Sequence, residues 1–227
     1  MTKYALKFSD LYTVTSHSDY KFLKNTFNAK NVKITRNWTN LSENVPIAKN
    51  RRKKILCVGR LVEQKNYDYL FQELAKLNTP IELDVVGNGP LKKMLIEKIN
   101  KYDLKVNFLG NLDHEALSEL YLNYKFYILP SLYEGNPKTL IEAMGAGCIV
   151  IASDIENNKE IVDHNKNGFI FKLSNSNFLD VFTEIDKLTD EKLSNIQKNG
   201  VSRINREYSL KVIKKETLRD LKNLFVG

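Results

Sequence analysis

The sequence predicts the α/β class, a parallel sheet with helices on both faces. Two observations carry this. Beyond residue 53, short apolar runs alternate with helical stretches of about 10–15 residues, the pattern of strand–helix–strand units. The runs are also continuous rather than alternating, as strands covered on both faces require. A chain of 227 residues, 42% hydrophobic and 27% charged, has ample material for such a core.

The elements follow in order. Residues 1–37 form one unit: a polar helix-like start, a short strand over Leu11–Thr15, a helix to about Phe27 capped by Ser16 or Ser18, and a short strand over Val32–Thr35. Residues 38–53 lack periodicity and read as a linker. Lys54–Val58 is an apolar strand ending at Gly59, and Tyr67–Leu77 has helical spacing. Ile81–Val86 is a strand ended by Gly87-Asn-Gly-Pro90, with Pro90 suited to the first position of the next helix. Val106–Leu109 is a strand, Asp113 caps a helix, and Phe126–Leu129 is a further strand. Pro137–Gly145 is a helix with Asn136 as its cap; strands at Ile149–Ala152 and Phe169–Phe171 follow, then helical stretches near 177–207 and 209–224.

In a parallel sheet, ligands bind beyond the carboxyl ends of the strands. The loops after Val58, Val86, Leu109 and Leu129 should therefore face one crevice. Arg60 and Lys65 would stand there, where two cations can neutralise a diphosphate; taken alone they also read as solvated loop residues. Leu129–Gly147 is the most informative stretch, a strand, a loop carrying Glu134, and a helix carrying Glu142. The helix start would offer free N–H groups near Lys138 and Thr139 to a phosphate. A carboxylate such as Glu134 or Glu142 can accept from neighbouring hydroxyls of a sugar; the bland alternatives are a loop cap for Glu134 and a surface ion pair for Glu142. Gly87 to Pro90, with Asn88, could approach a nucleotide through bare backbone or could be only a tight turn.

Other classes are disfavoured. No apolar run is long enough to span a membrane, and the first ten residues lack the apolar core of a signal peptide. Cys57 and Cys148 have no metal or disulfide spacing and read as free thiols of a reducing cytoplasm. There is no Asp-x-Asp motif, no metal-spaced cluster and no P-loop, and His17, His114 and His164 stand apart, so no metal is expected. The net charge of +8 is compatible with anionic lipid or phosphate ligands, or with lysines on solvated faces. The basic run Arg51–Lys54 is short and feeds a strand, so nucleic acid is not an expected partner.

With these residues in order, the chain resembles the retaining glycosyltransferases of the two-domain GT-B type, family 4. The resemblance rests on Val58-Gly-Arg-Leu-Val-Glu-Gln-Lys65, Val86-Gly-Asn-Gly-Pro90, Val106-Asn-Phe-Leu-Gly110, Leu129-Pro-Ser131, Glu134 to Gly147, Lys159-Glu-Ile-Val162 and Asn167-Gly-Phe-Ile170. It covers roughly residues 50–225. It implies a Rossmann-like sheet, the C-terminal lobe of the GT-B fold, at 54–207, with a final helix at 208–227 that crosses back to the N-terminal lobe. Residues 1–37 resemble only the last strand–helix–strand of that acceptor lobe; its larger part is expected outside these residues, whether they are a piece of a longer enzyme, one half of a split one or a remnant.

The resemblance also implies roles. Gly59, Arg60 and Lys65 would hold the donor diphosphate, Glu142 the ribose, and Glu134 the donor sugar at the reacting centre. Asn136, Lys138 and Thr139 would help hold sugar and phosphates, with Asn88 and Asn111 also at the donor, Asn111 near the base. The departing phosphate would help deprotonate the acceptor, a glycan or lipid-linked hydroxyl, with retention of configuration. Near Ile155–Asn158 many members have paired glycines, which this chain lacks. The expected partners are a nucleotide sugar, the acceptor, the complementary half in trans, and the cytoplasmic membrane face. A non-catalytic donor-binding subunit remains the alternative, and a nucleotide-sugar epimerase of the same fold a remoter one.

Overall fold

In the computed structural model, residues 11–40, 45, 52–77, 81–175 and 177–225 are described. The expected helix-like start at residues 1–10 lies outside them. A small unit comes first: β1 (Tyr12–Val14), α1 (His17–Phe27) and β2 (Val32–Ile34), the two strands paired in parallel. Ser16 is the cap of α1, its hydroxyl accepting from the Asp19 N–H at 3.1 Å.

The larger unit alternates as the sequence predicts. It runs β3 (Arg52–Val58), α2 (Tyr67–Leu74), β4 (Glu82–Val86), α3 (Lys92–Tyr102), β5 (Lys105–Gly110), α4 (His114–Tyr121) and β6 (Tyr124–Leu129). It continues through α5 (Lys138–Gly145), β7 (Ile149–Ser153), α6 (Glu156–Lys159), β8 (Phe169–Phe171), α7 (Phe178–Asp186), α8 (Asp190–Glu207) and α9 (Leu210–Phe225). The six strands are parallel in the order β5-β4-β3-β6-β7-β8. Counted along this unit, that is the doubly wound order in which the chain reverses direction between its first and fourth strands, here β3 and β6.

The two faces bury separate apolar clusters. Ile55, Cys57, Leu83 and Val85 face α2, α3 and α7; Leu56 and Val58 face the other way, against α5 with Tyr127, Leu129, Leu140, Ile141 and Met144. Alternate residues of one strand thus serve opposite cores, which is why β3 reads as an unbroken apolar run. β5 departs from this, with half-buried and exposed residues alternating because it lies at the sheet edge.

Several boundaries differ from the sequence expectation. β3 starts at Arg52, so the linker ends earlier; within it Thr39 bridges Ser209, its N–H bonding the Tyr208 carbonyl at 3.1 Å. Pro90 sits in a turn and α3 begins at Lys92, with Leu91 as its cap and the Leu91 N–H bonded to the Leu61 carbonyl at 3.1 Å. Pro137, not Asn136, is the cap of α5, and Lys138 is its first helical residue. The stretch near 177–207 is two helices, separated where Thr189 caps α8 through the Lys192 N–H.

Candidate functional site

The loops that follow β3 and β6 meet at the reversal point. β3 ends at Val58, and Gly59 donates to the Val86 carbonyl at 2.9 Å while Gly87 donates to Gly110 at 2.7 Å, so the ends of β3, β4 and β5 are zipped together. The Gly87 and Gly89 backbones lie against residues 59–61. A Cβ on Gly87 would strike the Gly59 carbonyl, and one on Gly89 would strike Leu61. Close backbone packing accounts for these glycines, in line with the tight-turn reading. Asn88 is exposed and its Oδ1 accepts from the Gly89 N–H at 2.9 Å. Asn111 is exposed just past Gly110, at the end of the edge strand. Among the described residues, neither asparagine is hydrogen-bonded to the acids below.

Lys65 and Glu134 are brought into direct contact, which their spacing of 69 residues does not disclose. The Lys65 ammonium is 2.6 Å from Glu134 Oε1, and their side chains are 16% and 8% exposed. The Lys65 stem crosses Gly59 so closely that a Cβ there would lie 3.0 Å from its Cε. Ser131 Oγ donates to the same Oε1 at 2.6 Å. Among the described residues Oε2 has no partner, so one carboxylate oxygen is held while the other remains able to accept a hydroxyl. The two loops are further stitched by the Leu132 N–H to the Gln64 carbonyl, 2.9 Å, and by Gln64 Nε2 to the Tyr133 carbonyl, 2.8 Å. Arg60 is exposed and makes no ion pair with any described residue.

Behind Glu134 stands the N-terminus of α5. No side chain caps it, and the N–H groups of Lys138 and Thr139 have no acceptor among the described residues. Such a helix end favours an anion. Glu142 lies one turn further on with its side chain 8% exposed. Lys138 Nζ is 3.6 Å from its Oε1, His114 Nδ1 is 3.9 Å from the same atom, and Tyr121 donates to Oε2 at 3.5 Å. Glu142 is thus a buried acid with an exposed lysine and an exposed histidine at its rim, not the simple surface pair that the sequence also allowed. Asn136 is half-buried and turns away from α5: its Nδ2 donates to the Thr15 carbonyl at 2.7 Å, and its own carbonyl accepts from Asn37 Nδ2 at 3.0 Å. The small N-terminal unit is thereby tied to this loop.

Beneath the loops is a buried floor. Tyr67 donates to the Gly59 carbonyl at 3.0 Å and Tyr127 to Thr139 Oγ1 at 2.8 Å. Burial raises both phenols well above their ordinary value and pushes the Cys57 thiol up to about 12, so all three stay neutral at physiological pH.

Residues 40–201 match the family described as glycosyl transferases group 1. The chain belongs to that family.

The chain is similar to an uncharacterized glycosyltransferase of Haemophilus influenzae, 33% identical over 155 residues, covering 66% of this chain and 43% of that protein. It is also similar to the N-acetylgalactosamine-N,N'-diacetylbacillosaminyl-diphospho-undecaprenol 4-alpha-N-acetylgalactosaminyltransferase of Campylobacter jejuni, 29% identical over 175 residues, covering 74% of this chain and 46% of that protein. Among solved structures, TarM of Staphylococcus aureus in complex with UDP superposes with a TM-score of 0.82 at 24% identity, over 99% of this chain and 46% of that one. Such neighbours are GT-B glycosyltransferases, in keeping with the Rossmann-like sheet. The chain spans less than half the length of these relatives.

Sequence reasoning missed three contributors to this site. Ser131 had a usable signal, a hydroxyl three residues before an acid within one loop. His114 and Asn157 had none, because their approach to Glu142 and to the Glu134 loop depends on where α4 and α6 pack.

Proposed function

We propose that this chain is the donor-binding half of a retaining glycosyltransferase, which transfers a hexosyl unit from a nucleotide-diphosphate sugar to a glycan or lipid-linked acceptor in surface-glycan assembly. The observation that carries the reading is the convergence of four features at the β3–β6 reversal point. These are an exposed arginine, a lysine, a half-engaged glutamate and an uncapped helix end. In the proposed site Arg60, Lys65 and the N–H groups of Lys138 and Thr139 hold the diphosphate. Glu142 accepts from the ribose, and Glu134 Oε2 accepts from the sugar. Gly59, Asn88, Asn111 and the main-chain N–H of Asn136 line the same donor site, Asn111 towards the base.

In the reaction the bond from the anomeric carbon to the diphosphate oxygen breaks and its electron pair leaves with the phosphate. The acceptor oxygen bonds to the same carbon from the same face, and its proton passes to the departing phosphate. Charge grows on the leaving group as this happens, so Arg60, Lys65 and the helix end act most strongly in the transition state. The proposal assigns this stabilisation to the chain's own cations and calls for no metal ion, so transfer should persist in EDTA.

The acceptor side is proposed to be supplied by the part of the relatives' length that these residues do not cover. The proposed location is the cytoplasmic face of the membrane, where the charge of +8 would favour peripheral contact. Titration of UDP, GDP and their sugars into the wild-type chain and an Arg60→Ala/Lys65→Ala variant tests the site. Loss of binding in the variant is expected, and equal binding by both would remove the assignment. The second reading is a donor-binding subunit without catalysis. A transfer assay of the chain alone and with a complementary half separates the two.

A further inference from the structure

The helix α6 packs directly behind the Glu134 loop. Asn157 is 7% exposed, and its Nδ2 donates to the carbonyl oxygens of both Glu134 and Gly135. The two hydrogens of a single amide nitrogen suffice for both. Its neighbour Asn158 is fully buried and donates to the Ser153 carbonyl at 3.0 Å and to Ser153 Oγ at 3.2 Å. Ser153 Oγ in turn donates to the Ser131 carbonyl at 2.6 Å. The two adjacent asparagines therefore hold the loop on both sides of its acid, Asn157 just after Glu134 and Asn158, through Ser153, just before it.

Peptide planarity gives this grip a consequence. In a trans peptide the carbonyl and the following N–H point in opposite directions, and no peptide among the described residues is cis. Drawing the carbonyls of Glu134 and Gly135 towards Asn157 turns the N–H groups of Gly135 and Asn136 away from it. Neither N–H has an acceptor among the described residues. With those of Lys138 and Thr139 they make four unspent donors over five residues, interrupted only by Pro137. Successive free N–H groups of this kind suit anionic or electron-rich oxygens.

We infer that Asn157 is a positioning residue for the sugar end of the donor site. It fixes the main chain over Glu134–Asn136 so that the free carboxylate oxygen and two N–H groups face the donor's sugar. This rests on the donor reading above. The diphosphate is held elsewhere, by Arg60, Lys65 and the start of α5, so the two parts of the donor should respond differently when Asn157 is changed.

The test is calorimetric titration of the full chain with UDP, UDP-N-acetylglucosamine, UDP-glucose, GDP and GDP-mannose, for wild type, Asn157→Ala and Asn157→Ser. In Asn157→Ala the bare diphosphate should bind within about twofold of wild type. The sugar nucleotide should weaken about tenfold, the loss of one or two oriented hydrogen bonds. Asn157→Ser keeps one donor and should show the same change at smaller size; it is the variant to read if Asn157→Ala does not fold. A purely structural asparagine would lower the melting temperature yet leave the ratio of sugar-nucleotide to diphosphate affinity unchanged, and that result overturns the inference alone. A wild-type chain that binds none of the five nucleotides overturns the donor reading and the inference with it.

Discussion

Lys65 and Glu134 form an ion pair at 2.6 Å in which both side chains are largely withdrawn from water. Such pairs add little net stability against apolar replacements, but removing one member strands a buried charge. Lys65→Met is expected to destabilise the chain by about 3 kcal/mol, the lower end of the range because the lysine keeps some exposure. The double variant Lys65→Met/Glu134→Gln should recover most of that loss, since neither charge remains. Urea denaturation of the four chains of this cycle measures both terms, and additive losses would mean that the pair is not coupled. Cys57 and Cys148 are both buried thiols that form no disulfide. At pH 8 neither should react with a thiol reagent in the folded chain, whereas both should react in guanidinium chloride; rapid labelling of native protein would contradict the burial.

The decisive joint at the scale of elements is between the ends of β3 and β4. Gly87 has φ +134° and no room for a Cβ beside the Gly59 carbonyl, while Gly135 in the donor loop has nothing within 4 Å of a built Cβ. Gly87→Ala should therefore cost about 3 kcal/mol or more through strain and displaced backbone. Gly135→Ala should change stability by less than about 0.5 kcal/mol. Thermal unfolding of the two variants checks the contrast, and equal losses would refute it. Asp113 caps α4 by accepting from the Ala116 N–H at 2.8 Å, so Asp113→Ala should cost about 1 kcal/mol by the same measurement.

At the scale of the whole molecule, buried neutral acids among the described residues make stability depend on alkaline pH. Burial raises Cys57 from 9.0 to about 12, and raises Tyr67, Tyr121 and Tyr127 well above 10.0. Above pH 9 the unfolded chain loses these protons while the folded chain keeps them, so the unfolded state binds fewer protons and stability falls as pH rises. The stabilisation from Cys57 is complete below pH 9 and is lost as pH rises towards about 12, with the tyrosines adding to the slope above pH 10. Melting temperatures measured from pH 8 to 11 should drop progressively. Cys57→Ala should show a shallower drop than wild type over pH 9–10, and an identical profile would exclude the thiol as a source.

Much of this was legible in the residues themselves. The strand–helix alternation and the caps at Ser16 and Asp113 follow from local chemistry, because apolar runs, turn residues and capping hydroxyls or carboxylates act within a few positions of each other. The placement of Arg60 and Glu134 at strand ends, and of Glu142 on the helix behind, came from the same local pattern. The tertiary structure alone decided that β3 and β6 are neighbours. That adjacency turns a lysine and a glutamate 69 residues apart into a buried pair. It also decided that Gly87 and Gly89 serve backbone packing, that Asn136 faces the N-terminal unit, and that Asn157 holds the acid's loop. The physical reason is common to all of these. Periodicity encodes which face of an element is apolar, whereas strand order and the docking of α6 arise from the summed packing of distant segments, and no short window of sequence contains that sum.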